Sequence, residues 1–375
     1  MARVRFGDVV KEVKINIDRK TDDHEFFIAG EHMESENIHI TKRGRFADSD
    51  VGPAFIRLFK PGQILYGSRR TYLKKVAVAD FEGITSNTTF VLETKDPNIM
   101  LQELLPFIML TDNFTAYAVK NSKGSTNPYI LFSDLAAYEF ELPDIEEQKR
   151  LTAKLLACDR AKEAYKKQIQ ATDDLVKSQF IEMFYGREYP MRTIGQVVDR
   201  TVLRASKKFA KDDIIEYLDI SSIDNSSKTV TGTTTYTLSE APSRAQYVLQ
   251  KDDILYSTVR PNLQNIAVNP YSANNIIGST GFCVLRCREV SKGFMWGLIT
   301  SDQFTDKMVS LASGANYPAV TDKVVYEFEF PMPPYEEQMR FERIVEQSDK
   351  SKFELQQAIE KVDNLIKSLI QQDNN

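Results

Sequence analysis

The sequence predicts an α+β chain: two similar mixed α/β domains separated by an antiparallel two-helix coiled coil and related by an internal pseudo-two-fold repeat. Three observations carry that expectation. Pro143-Asp144-Ile145-Glu146-Glu147-Gln148-Lys149-Arg150 recurs as Pro333-Pro334-Tyr335-Glu336-Glu337-Gln338-Met339-Arg340, an offset of 333 − 143 = 190 residues. Gly and Pro punctuate the text before each copy but are absent from Asp144 to Tyr185 and from Tyr335 to Asn375, as uninterrupted helices require. Those two segments also carry apolar side chains at alternating steps of four and three.

The same offset holds upstream of the motif. Ile64-Leu65-Tyr66 returns as Ile254-Leu255-Tyr256, Ala77-Val78 as Ala267-Val268, Gly124 as Gly314 and Pro128 as Pro318, while Gly7, Val9 and Val10 match Gly195, Val197 and Val198 at an offset of 188. The expected divisions are a first domain over 1–142, a first helix over 143–186, a second domain over 187–332 and a second helix over 333–375, with the junction at Gly186 to Pro190. Short β-branched and aromatic runs between polar, Gly-bearing stretches read as strands. One longer helical stretch is expected in each copy, from Asn98 to Val119 with a kink or restart at Pro106, and from Lys292 to Leu311.

The seam of the first long helix reads Leu151, Leu155, Cys158, Lys162, Tyr165, Ile169, Thr172, Val176, Gln179, Met183. That of the second reads Phe341, Val345, Ser348, Lys352, Leu355, Ile359, Val362, Ile366, Leu369. Lysine falls at the same step in both. The apolar members are expected to meet in an intramolecular hairpin or to face a partner, rather than to form a homodimeric zipper. Each helix, at about 40 residues and 1.5 Å per residue, would be on the order of 60 Å long. A pseudo-two-fold repeat makes the helices antiparallel and should bring Asn375 near Met1.

Composition excludes several classes. The longest apolar stretches, such as Leu104 to Leu110, fall short of the ~20 residues a membrane span needs, and Met1 to Asp18 is charged throughout, so a soluble, cytoplasmic protein is expected. Three cysteines, Cys158, Cys283 and Cys287, argue against a disulfide framework. With only three histidines, His24, His32 and His39, a zinc centre or a histidine-based catalyst is not expected. A net charge of 48 − 53 = −5 disfavours a uniformly basic nucleic-acid binder but leaves room for local basic patches.

One such patch is present. Between Val51 and Ala79 there is no Asp or Glu, yet Arg57, Lys60, Arg69, Arg70, Lys74 and Lys75 occur with Tyr66 and Tyr72 among them, and Lys42, Arg43 and Arg45 form a second cluster. In the second copy the matching loop runs Ser257-Thr258-Val259-Arg260-Pro261-Asn262-Leu263-Gln264-Asn265, with Asn and Gln where the first has cations. Arg and Lys pair with guanine edges, Asn and Gln with adenine edges. A repeated framework with divergent polar loops is what two different sequence readers of duplex DNA would show; a solvated basic edge is the alternative. The candidate DNA-binding residues are Lys42, Arg43, Arg45, Arg69, Arg70, Tyr72, Lys74, Lys75 and Lys123 in the first copy. In the second they are Ser257, Arg260, Asn262, Gln264 and Asn316. Lys123 and Asn316 come from the Gly124 and Gly314 loops, whose amides could meet phosphates; ordinary turns account equally well for these.

Catalytic readings fail. Asp144 with Glu147 and Lys149 is too tightly spaced for a metal-dependent nuclease and opens a helix, where acidic side chains favour the positive end. Pro333-Pro334-Tyr335 resembles the end of an amino-methyltransferase loop, but Met332 stands where its Asn would be. No Gly-x-Gly cofactor loop and no phosphate-binding Gly-x-x-x-x-Gly-Lys-Ser/Thr loop occurs.

Two globular units, each closed by Leu142 to Arg150 or Met332 to Arg340 and a long helix, resemble the DNA specificity subunit of type I restriction-modification systems across essentially the whole chain. The resemblance implies a non-enzymatic subunit whose two target recognition domains each read half of a bipartite double-stranded DNA site. It implies helices that set the spacer and dock two methyltransferase subunits using S-adenosylmethionine, joined by two restriction subunits, motor-nucleases using ATP and Mg. No cofactor is expected in this chain itself. The competing expectation is a two-headed protein-binding scaffold with a coiled-coil spacer.

Overall fold

The structure, a computed structural model, describes residues 2–19, 21 and 23–372. Its two compact units do not follow chain order. One gathers the described residues of Met1–Lys166 and Gln356–Asn375, the other Lys167–Leu355, so each unit holds one domain and a stretch of each long helix. The expected approach of Asn375 to Met1 concerns residues outside those described.

The strands of the first unit are β1 (Ala2–Arg5), β2 (Val10–Glu12), β3 (Phe26–Ile28), β4 (Gly44–Arg45), β5 (Phe55–Phe59), β6 (Ile64–Gly67), β7 (Val76–Val78), β8 (Gly83–Ser86), β9 (Thr89–Thr94) and β10 (Glu139–Leu142). Its helices are α1 (Phe6–Val9), α2 (Leu105–Met109), α3 (Asp112–Lys120), α4 (Phe132–Ala136) and the start of α5 (Ile145–Phe184). One sheet has the order β2-β9-β6-β7 and is antiparallel; the other has the order β4-β3-β8-β5, with β3 and β8 parallel. Successive side chains of a strand point to opposite faces, and here both faces are dry. Ile64, Tyr66 and Leu92 enter a core with Phe6, Phe114 and the long-helix residues Leu151, Leu155 and Ile370, while Leu65 and Val91 enter another with Ile28, Met33 and Phe59.

The second unit repeats this plan. Its strands are β11 (Met191–Thr193), β12 (Val198–Asp199), β13 (Ile214–Leu218), β14 (Ile223–Asp224), β15 (Thr229–Val230), β16 (Thr234–Thr237), β17 (Ala245–Val248), β18 (Ile254–Ser257), β19 (Ile266–Val268), β20 (Ile276–Ser279), β21 (Phe282–Cys287) and β22 (Glu329–Pro331). Its helices are α6 (Ile194–Val197), α7 (Lys292–Ile299), α8 (Asp302–Leu311), α9 (Asp322–Tyr326) and most of α10 (Tyr335–Gln372). The sheets run β12-β21-β18-β19 and β16-β13-β20-β17, with a further β14–β15 ribbon. The repeat reaches irregularities: a register shift between Phe55 and Arg57 recurs between Ala245 and Tyr247. Cys283 lies fully buried in β21, where burial raises its thiol, and burial pushes the neighbouring Cys287 up to about 12.

The helical stretch restarts at Pro106, where a 3-10 turn over Gln102–Leu104 gives way to α2, and breaks a second time before α3. Pro106 sits in the first turn of α2, where its missing N–H costs nothing. The second restart comes at Thr111, whose hydroxyl accepts from Phe114 N at 3.2 Å, and in the second unit at Ser301, capping Phe304 N at 3.2 Å.

The repeated motif fastens each domain to its helix. Asp144 Oδ1 accepts from Glu147 N at 2.9 Å, capping α5. Gln148 is fully buried: its amide nitrogen donates to Pro143 O at 2.9 Å and Ile99 O at 2.8 Å, and its Oε1 accepts from Leu101 N at 2.9 Å. Gln338, equally buried, donates to Pro333 O at 2.8 Å and accepts from Ser291 N at 2.9 Å.

Within each unit the helix stretches run antiparallel. In the first, Leu151 and Leu155 are buried in a core with Ile370; Ile359 is buried, Tyr165, Val362 and Ile366 half-buried, and Lys162 Nζ meets Asp363 Oδ1 at 2.6 Å. In the second, Phe341 and Val345 are buried, Ile169, Val176 and Leu355 half-buried, and Lys352 Nζ meets Asp173 Oδ1 at 2.9 Å. At the C-terminal ends the seam departs from strict 4-3 counting, because Phe180, Phe184 and Ile370 are buried where Gln179, Met183 and Leu369 are not. A straight helix drifts about 20° per heptad against a 3.5-residue repeat, so after four to five heptads the buried face has moved by about one residue.

Candidate nucleic-acid interface

The segments nominated from sequence come together in pairs. After β6 the chain enters a 3-10 turn, Thr71–Leu73, flanked by Arg70 at φ 51° and Lys74 at φ 48°. The matching turn after β18, Pro261–Leu263, lies between Arg260 at φ 50° and Gln264 at φ 47°. Left-handed backbone at non-glycine residues costs of order 1–3 kcal/mol each and persists only where surroundings enforce it. Here the enforcing partner is the glycine loop. Arg70 N donates to Pro128 O and Arg260 N to Pro318 O, each at 2.7 Å. Lys123 and Tyr129 exchange backbone bonds of 2.7 and 2.9 Å across the Gly124 loop, and Ser313 and Ala319 bonds of 3.0 and 2.9 Å across the Gly314 loop. Gly124 at φ 86° and Gly314 at φ 107° supply the turn that an L side chain resists.

On this shared frame the side chains differ. In the first unit Arg69, Arg70 and Tyr72 are exposed, and neither arginine makes an ion pair among the described residues. Lys123 is half-exposed and meets Asp134 at 2.9 Å. Lys75 donates to Gly30 O. Lys42, Arg43 and Arg45 belong to the other sheet, at its β4 edge: Lys42 is exposed, Arg43 lies 4.1 Å from the Phe26 ring centroid, and Arg45 pairs with Glu25. In the second unit Arg260, Asn262 and Asn316 are exposed. The Arg260 guanidinium lies 4.7 Å from the Tyr317 ring centroid and donates to Asn316 O at 3.2 Å.

Ser257, Lys74 and Gln264 are likewise occupied within the protein. Ser257 is 2% exposed and its hydroxyl donates to Val259 O at 3.0 Å, so it braces the turn and presents nothing to a base. Lys74 is tucked between Glu36 at 2.8 Å and Asp112 at 2.6 Å; burial pulls its ammonium down, but the two carboxylates outweigh this and leave it raised. Gln264 donates to Thr305 Oγ1 at 2.7 Å and accepts from Lys228 Nζ at 3.1 Å, and Lys228 is itself lowered by burial and by Lys177. Acidic partners absent from the local sequence thus arrive from distant segments. Sequence reasoning did not nominate Arg200 and Arg204, four positions apart and together on one cleft of the second unit.

A duplicated scaffold presenting arginine, tyrosine and asparagine side chains has the form and chemistry expected of a two-headed nucleic-acid reader. The model of the type I restriction modification DNA specificity domain matches residues 15–172 and again 187–362, and the chain belongs to that family. It is a non-catalytic DNA-recognition subunit that acts in a complex with DNA and other restriction-modification subunits. The type I restriction enzyme MjaVIII specificity subunit of Methanocaldococcus jannaschii is 21% identical over 97% of this chain and 91% of its own length. Two solved structures share the fold. A chain from the type I R-M system whose complex assembly and conformational transition were described has a TM-score of 0.52 at 19% identity, over 100% of this chain and 97% of its own. The S subunit of the M. genitalium type I system has 0.52 at 16%, over 98% and 95%.

Proposed function

We propose that each unit reads one half of a bipartite duplex site through its paired loops, Arg69–Lys75 with Lys123–Tyr129 and Val259–Asn265 with Ser313–Ala319. The observation that carries this reading is the identical backbone hold of both turns, 2.7 Å in each, on a shared arginine whose neighbours Arg69, Tyr72 and Lys75 are replaced by Val259, Asn262 and Asn265. Arg70 and Tyr72 of the first head correspond to Arg260 and Asn262 of the second. The arginine is common to both heads, while Tyr72 and Lys75 give way to Asn262 and Asn265, and asparagine favours adenine, so the half-sites differ at those positions. Lys42, Arg43 and Lys75 contribute positive charge to the first head, while Arg45 is paired with Glu25.

The long helices set the gap between half-sites and dock two methyltransferase subunits. Supporting this, Leu175, Ile181 and Phe353 in the second unit and Leu365 in the first are exposed apolar residues on helix faces. The methyltransferases use S-adenosylmethionine to methylate adenine; two restriction subunits, using ATP and Mg, complete a cytoplasmic complex. This chain needs no cofactor of its own.

Co-expression with a cognate methyltransferase, followed by single-molecule mapping of methylated adenine, tests the proposal. A two-part motif with a fixed gap, altered in one half only when residues 69–75 are exchanged for 259–265, supports it. A stable complex that methylates no such motif overturns it.

A further inference from the structure

The second unit carries a cleft of about 580 Å³ lined by Arg200, Thr201, Arg204, Tyr247, Asp322 and Tyr326. Arg200 lies 4.9 Å from the Tyr326 ring centroid and Arg204 5.9 Å from that of Tyr247. Arg204 also donates to Gln246, and its backbone bridges to Tyr247. Stacking on a ring fixes a guanidinium without neutralising it. Neither arginine has a carboxylate partner among the described residues, although a carboxyl lines the same cleft. Burial raises that carboxyl, Asp322. The result is two oriented cations, neither in an ion pair among the described residues, beside a threonine hydroxyl. Such a set suits a tetrahedral oxyanion with several acceptor oxygens, which guanidinium forks bind in bidentate fashion.

We propose that this cleft seats a backbone phosphate of the DNA flanking the second half-site, an assignment that rests on the DNA-reading function above. The first unit is built differently at the same place. At the offset of 188 that aligns Val10 with Val198, Arg200 corresponds to Glu12 and Arg204 to Asn16. The phosphate seat therefore belongs to the second head alone and contributes affinity, register and salt dependence, not base choice.

The test uses the complex of the full chain with its methyltransferase and a duplex carrying the mapped motif. Binding is measured over a salt series for the wild type and for the Arg200→Gln, Arg204→Gln double variant. The variant should keep the wild-type motif, bind more weakly, and show a log–log salt slope shallower by about 0.9 for each phosphate that the arginines neutralise in the wild type. Single methylphosphonates placed along the duplex then locate that phosphate. One neutral linkage beside the second half-site should weaken the wild type at least several-fold and leave the variant unchanged. Equal salt slopes, or methylphosphonate losses that are the same in both proteins, would overturn the seat. A change in the motif itself would also overturn it, by making the arginines base readers. Failure of the wild-type complex to bind any bipartite duplex would instead sink the DNA-reading function beneath it.

Discussion

Arg260 and Tyr317, 57 residues apart, form one rigid element: the guanidinium lies 4.7 Å from the ring centroid and is anchored on Asn316 O, while Pro318 O holds the Arg260 amide at 2.7 Å. Each contact limits a different freedom of a long side chain. The left-handed backbone sets where the side chain leaves the turn, the carbonyl sets its end, and the ring sets its plane. A preset arginine loses less entropy when it pairs with a base. The first head places Asn127 where the second has Tyr317, so Arg70 shares the backbone hold and lacks the ring.

Arg260→Ala should relax the second half of the recognition motif at one position, by about 1–3 kcal/mol of discrimination, and leave the first half intact. Tyr317→Leu should give a smaller loss at the same position. Methylation mapping with both variants reads the outcome. A uniform drop across all sites would show that Arg260 contacts the backbone only.

Gln148 and Gln338 explain why the motif recurs with its glutamine. Each is fully buried and satisfies backbone groups of the domain and of the helix start together. Gln148→Leu removes three hydrogen bonds and leaves the Ile99 carbonyl and Leu101 amide without that partner in a dry site. The expected cost is about 2–4 kcal/mol, since a stranded buried polar group costs about 1–3. Urea unfolding followed by a probe in the first unit should show the loss, and Gln148→Glu should not restore it, because one carboxylate cannot both donate and accept.

Much of this was legible in sequence, for reasons that differ residue by residue. The helix starts at Pro143 and Pro333 were readable because capping and helix dipoles are local. Central strands such as Ile64-Leu65-Tyr66 were readable because both faces are buried and the run stays apolar. Lys74 escapes a local reading because its partners Glu36 and Asp112 are far away in sequence. Ser257 escapes it because the burial of β18 continues to the edge of the turn and takes this residue with it. Arg200 and Arg204 gave no signal, since stacking on Tyr326 and Tyr247 exists only after the sheets form.

The seam lysines are a further test. Lys162 and Lys352 occupy equivalent steps and meet Asp363 and Asp173, each within its own unit. Lys352→Met should be tolerated far better than Asp173→Leu. The methionine can fill the half-buried seam, whereas removing the acid leaves Lys352 with only Asp349 at 3.0 Å in a desolvated position. A reversed order of melting temperatures would refute this account.

His39 gives the first unit a pH dependence. Its Nε2 meets Asp159 Oδ2 of α5 at 2.8 Å, and its backbone amide donates to Asn37 Oδ1 at 3.0 Å. The hydrogen bond to Asp159 raises the imidazole above its ordinary value; burial opposes, the charges of Asp159 and Glu163 add to the rise, and Lys166 reduces it. A folded-state value above the unfolded one means the stabilisation is fully present below about pH 6.5 and is lost as pH climbs through the raised value. The side chain is 43% exposed, so screening keeps the contribution below about 1 kcal/mol. The melting temperature of the wild type should therefore exceed that of His39→Ala at pH 5.5, and the gap should close by pH 8.5. A gap that stays constant with pH would mean that His39 contributes packing and not charge.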